Sequence, residues 1–161
     1  MGLNLDFSNL TNNSYTESVQ PLFSVDLTKF GLGNEKPTSQ ETEIRLNFLK
    51  KMEAILSLGQ EAKFLYRPET SQPIADFCQN YRDAVNEAYH YEMILQDLKK
   101  QAKQPALIRD KTFDEFADES GEPKYRKKLT DAFENLTKTI KELEQGEIFL
   151  KMEKQISLIK I

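Results

Sequence analysis

A chain of 161 residues with a formal net charge of −4 is long enough for one domain with a buried core. It is too acidic overall to be a histone-like or ribosomal protein, although 22 lysines and arginines leave room for local basic patches. One histidine, one cysteine, no tryptophan and six glycines are poor material for a metal centre, a nucleophile–base pair or a phosphate-binding loop.

Residues 1–37 are rich in Asn, Ser and Thr, with Asp6, Glu17, Asp26 and Glu35 set against only Lys29 and Lys36. Leu3, Leu5 and Phe7 alternate, and so do Phe23, Val25 and Leu27, a period of two that is strand-like. An isolated hairpin is marginal in water, so this stretch is expected as an extended or partly disordered N-terminal arm. Such an arm lies across the helices, adds a strand to a partner's sheet or wraps a neighbouring subunit.

Thr38-Ser-Gln-Glu41 fits a capping box that opens a first long helix running to about Tyr66, where Pro68 stops it. Its apolar face holds Ile44, Phe48, Met52, Ile55, Ala62 and Tyr66, with Leu49 and Leu56 at the margins. Gly59 sits on that face. It either admits another helix closely or weakens the helix by ~1 kcal/mol relative to alanine. Pro68 to Pro73 reads as the connection, with Thr70 or Ser71 capping the second helix.

That helix carries the clearest signal in the chain. Phe77, Tyr81, Ala84, Ala88, Tyr91, Leu95, Leu98 and Ala102 recur at strict four-three spacing, a coiled-coil-like seam that only a helix aligns. Lys99, Lys100 and Lys103 suit its C-terminus, and Pro105 ends it. Leu107 and Ile108 follow in a loop, and Thr112-Phe-Asp-Glu115 is a second capping box for a short helix. Ser120-Gly-Glu-Pro123 then punctuates before a third long helix, on which Tyr125, Leu129, Phe133, Leu136, Ile140 and Leu143 keep the spacing. The phase breaks at Gly146. Phe149, Met152, Ile156 and Ile159 resume on a shifted face, in a C-terminal segment that would also suit a strand from Ile156 onward.

Glu87-x-x-His90 has the spacing of a di-iron ligand pair, but such centres need two motifs, and His90 points away from the seam. Asp110, Asp114, Glu115, Asp118, Glu119 and Glu122 crowd one stretch without a glycine at the sixth position of a calcium loop, so they read as a solvated acidic loop. Lys124, Arg126, Lys127 and Lys128 oppose the dipole of the third long helix, with Tyr125 among them to stack on a base. Either the acidic loop neutralises them or phosphates do. Cys78 is expected as a small packed hydrophobe. No catalytic, cofactor or metal-binding residue emerges, and no cofactor is expected.

The expectation is a mainly α protein: an elongated antiparallel bundle of three long helices plus one short helix over residues 38–145. An arm (1–37) precedes it, and a helix extension or docking segment (146–161) follows. The expected function is a non-enzymatic protein–protein interaction or assembly subunit, that is, a structural component, adaptor or inhibitor within a larger complex. Contacts with the same or other subunits would use Leu3, Leu5, Phe7, Phe23 and Val25 in the arm, and Phe149, Ile156, Leu158 and Ile159 at the end. The alternative is a nucleic-acid-associated subunit using residues 124–128. With no secretory signal, one cysteine and no apolar run near the roughly 20 residues of a bilayer span, the expected place is the cytoplasm, or a virus particle, with no membrane contact.

Overall fold

A computed structural model of the chain describes residues 15–32, 35–104 and 111–159. Leu3, Leu5, Phe7, Leu107, Ile108 and Asp110 therefore lie outside the described residues, as does the side chain of Ile159. The described residues are mainly helical and contain no strand.

The first described segment corrects the strand-like reading of Phe23, Val25 and Leu27. A π-helical turn (Tyr15–Val19) runs into a short helix α1 (Gln20–Phe23), and a 3-10 turn follows at Leu27–Phe30. Asp26 caps that turn by accepting the Thr28 N–H at 3.1 Å. The backbone satisfies itself locally, the Ser24 and Val25 N–H groups donating to the Pro21 and Leu22 carbonyls at 3.2 and 3.3 Å. The apolar side chains then turn toward the long helices, leaving Val19, Leu22 and Leu27 at 1%, 0% and 0% exposure.

Helix α2 (Ser39–Leu65) opens on the expected capping box: Thr38 accepts the Glu41 N–H at 3.2 Å and Glu41 accepts the Thr38 N–H at 2.7 Å. Phe48, Met52, Ile55, Gly59 and Ala62 form its buried row. The helix stops at Tyr66, because Pro68 excludes the helical conformation from Arg67.

Helix α3 (Pro68–Ala102) starts earlier than the composition of Pro68–Pro73 implies. Pro68 takes the first helical position, where its fixed φ suits the start and its missing N–H costs nothing. Thr70 and Ser71 are thus not caps but buried residues of the first turn. Along the seam, Phe77, Ala84 and Leu98 are buried, Tyr81, Ala88, Tyr91 and Leu95 are half-buried, and Ala102 is exposed. A second row containing Ala75, Cys78 and Tyr89 is buried as well. One seam does not account for two rows; α3 packs against both α2 and α5, so two of its faces are covered.

After the second capping box, Thr112 with Glu115, a short helix α4 (Phe113–Ser120) ends at Gly121. The φ of +75° there is the left-handed cap that glycine adopts without steric cost. Helix α5 (Glu122–Gln145) follows at once. Its buried residues are Glu122, Thr139 and Leu143, whereas Phe133 and Ile140 of the expected apolar face remain 49% and 39% exposed. Its most extensive packing is against α3, with smaller contacts to α4 and α6.

The phase break at Gly146 is a helix boundary: Glu147 has a φ of +48°, and helix α6 (Ile148–Ile159) sets off in a new direction. The strand alternative for the last residues does not hold. Ile148 and Met152, one helical turn apart, are buried, and Phe149 and Ile156 pack beside them on the same core.

Candidate interaction surfaces

The expected contact residues are used unequally. Phe23 and Val25 are half-buried against the chain's own core, as are Phe149 and Ile156. Leu158 is 66% exposed. The chain's own packing therefore takes up much of the apolar surface that sequence periodicity assigned to a partner.

Two glutamines that no motif singled out hold the terminal segments in place. Gln96 on α3 accepts the Leu27 N–H at 2.7 Å and donates to the Val25 carbonyl at 3.2 Å. Gln155 on α6 accepts the Arg67 N–H at 3.1 Å and donates to the buried Thr70 hydroxyl at 2.9 Å. Each amide uses both its acceptor and its donor, so one side chain fixes a whole turn of backbone. Charges reinforce the first clamp. Lys100 donates to Asp26 and Thr28, and Lys29 donates to Glu41 at 2.9 Å. Burial pushes the Asp26 carboxyl up, but the bonds from Lys100 and Thr28 outweigh it and hold the group below its ordinary value. The Thr38 N–H, with the Lys29 ammonium, holds Glu41 low in the same way.

The clearest unshared apolar surface lies where α2, α3 and α6 meet. Phe64 is 89% exposed and Leu65 56%, and a shallow pocket joins both to Leu158 across Tyr66, Arg67 and Gln155. Beside it, Leu58, Ala62, Ile74, Phe149 and Met152 line a cavity of about 20 Å³ that Tyr66 also borders. The Tyr66 hydroxyl is buried with no hydrogen-bond partner among the described residues, and burial pushes its pKa up. A second apolar surface runs along α5, where Leu129, Phe133 and Thr137 line an open groove edged by Lys138 and Lys141.

Of the basic cluster, Arg126 is neutralised within the chain, by Glu122, the last residue of the preceding acidic stretch. Glu122, almost fully buried, accepts the Tyr91 hydroxyl at 2.6 Å and pairs with Arg126 at 3.3 Å. Its carboxylate stands in the first turn of α5, where the helix dipole favours it. Lys128 lies over the Tyr125 ring at 5.8 Å. Lys124, Arg126, Lys127 and Lys128 all remain exposed.

Of the possible chemical groups, Cys78 is buried and its thiol is pushed up to about 12 by desolvation. A thiol held protonated in this way is inert packing rather than a nucleophile. His90 is exposed, and Glu87 is half-buried with one carboxylate oxygen lacking a hydrogen-bond partner among the described residues. No group of three or more His, Cys, Asp or Glu side chains is placed to hold a metal ion among the described residues. No helix among them is long and apolar enough to cross a membrane.

No protein-family model, curated protein or solved structure matches this chain.

Proposed function

We propose that the chain works by contact, as a non-enzymatic interaction or assembly subunit of a larger complex. Its frame in this reading is an antiparallel bundle of α2, α3 and α5, closed at the two ends by the N-terminal segment and by α6. The order of contacts supports the antiparallel arrangement. Phe48 stacks on Tyr89 while Gly59, further along α2, meets Cys78, earlier on α3. Likewise Tyr91 bonds Glu122 at the start of α5, whereas Asp76 shares a groove with Glu142 near its end.

The observation that carries the functional reading is the exposed apolar cluster at Phe64, Leu65 and Leu158. A phenylalanine left 89% exposed at a helix end gains nothing in the free chain and gains its burial energy only against a partner. Leu3, Leu5 and Phe7 are expected as further contacts. The test is capture of partners from the source cells by the tagged full chain and by its Phe64→Asp and Leu158→Asp variants. Both positions are exposed, so the fold survives, and the reading expects a stoichiometric partner held by the wild type and lost from the variants. An identical set of captured proteins from all three contradicts it.

A nucleic-acid role for Lys124, Arg126, Lys127 and Lys128 has weaker support. Arg126 already has a carboxylate partner, and one face of the Tyr125 ring is taken by Lys128. That role requires retention on a polyanion column at low salt, falling steeply as salt is added; elution without delay contradicts it.

A further inference from the structure

Beside the row that α5 buries against α3 runs a second row at the same strict spacing. Arg126, Thr130, Phe133, Thr137, Ile140 and Glu144 recur four and three residues apart, and every one of them is exposed. This is the pattern of a helix–helix seam, with its apolar members in the middle and opposite charges at its two ends. The two threonines do not spoil it. Their hydroxyls donate to the carbonyls of Arg126 and Phe133 at 3.0 and 2.8 Å, so both side chains can leave water with their hydrogen bonds made.

We propose that this row is the interface of a homodimer, in which α5 of two copies packs antiparallel about a two-fold axis near residue 135. The inference rests on the interaction reading above and narrows one of its partners to a second copy of this chain. The row is self-complementary in that register. Arg126 meets the partner's Glu144, Thr130 meets the partner's Ile140, and Phe133 meets the partner's Thr137. The two-fold axis repeats each pair, as an isologous contact requires. A parallel pairing would stack arginine on arginine and glutamate on glutamate. Arg126 is paired with Glu122 at 3.3 Å, but its side chain stays 62% exposed, so the guanidinium keeps N–H donors for a second carboxylate. Antiparallel packing also sets the helix dipoles head to tail. With two large apolar side chains per copy, the dimer is expected to be weak and to depend on concentration.

Sedimentation velocity of the full chain over a wide concentration range tests this. The expected result is a mass that rises from 18.7 kDa toward twice that value as concentration increases. Phe133→Asp should weaken dimerisation by at least about tenfold, with unchanged helical content by circular dichroism. Arg126→Glu and Glu144→Arg should each weaken it, and the double variant should recover most of the loss, because the swap restores the pairs. A mass of 18.7 kDa throughout overturns the proposal, as does a dimer indifferent to Phe133→Asp or a double variant worse than either single one. If the chain stays monomeric while Phe64-dependent capture persists, only the dimer falls. If both fail, the interaction reading falls with it.

Discussion

Leu27 shows most sharply how a residue expected in an extended arm becomes part of the core. Its side chain is 0% exposed, its N–H is bound by Gln96, and it lies between two ion-paired residues, Asp26 and Lys29. Leu27→Ala should therefore cost about 2–5 kcal/mol of stability in a denaturant titration, the range for a leucine removed from a packed core. A peripheral arm would lose almost nothing. The same residues fix the response to acid. Asp26 and Glu41 have folded-state pKa values held below their unfolded ones, so their contribution is complete above the ordinary carboxylate range. It is lost as pH falls through the depressed folded values. The protection of the Leu27 and Val25 amides, taken relative to intrinsic exchange at each pH, should fall on acidification before that of the middle of α3 does.

At the scale of the helices, Gly59 decides how closely α2 and α3 approach. A β-carbon there would sit 3.0 Å from the Cys78 β-carbon and 3.2 Å from the Ala75 backbone, so any larger side chain must force the helices apart. Gly59→Leu should destabilise by about 1–3 kcal/mol despite leucine's better helix propensity. Cys78→Ala should not relieve it, since the β-carbon stays. Removing Gln155 should act differently. Gln155→Ala leaves the buried Thr70 hydroxyl and the Arg67 N–H without their partner, and exchange should quicken across α6 and the α2–α3 turn while the rest of α3 keeps its protection. Local signals made much of this level legible in the sequence. Both capping boxes, the stop at Tyr66, the punctuation at Ser120–Pro123 and the break at Gly146 depend on residues within a turn of each other. Helical periods also gave the buried rows of α2 and of the α3 seam, whereas the strand-like period and the outer side of α5 were misassigned. The alternation at Phe23, Val25 and Leu27 is equally compatible with short helical turns, and the second buried row of α3 exists because a third element covers it. Gln96 and Gln155 carried no signal at all, because a glutamine becomes a clamp only through backbone distant in sequence.

At the scale of the whole molecule, one balance organises the account. Both terminal segments and the long helices share a single apolar core, yet among the described residues Leu32, Leu46, Leu49, Phe64, Leu65, Phe133, Ile140, Leu150 and Leu158 stay exposed. Leu158 was expected as a contact, but the others were legible as apolar and not as exposed, since exposure is decided by which faces the fold covers. Two groups among them line grooves, Phe64, Leu65 and Leu158 where α2, α3 and α6 meet and Phe133 on the outer side of α5, and these are the candidate contact surfaces. The measurement that tests the central claim most directly is site-specific photo-crosslinking in the source cells, with the reactive side chain placed at position 64 and, as control, at the exposed Glu53. The account predicts one discrete adduct from position 64 and none from position 53. No adduct at either position, or the same diffuse products from both, would contradict it.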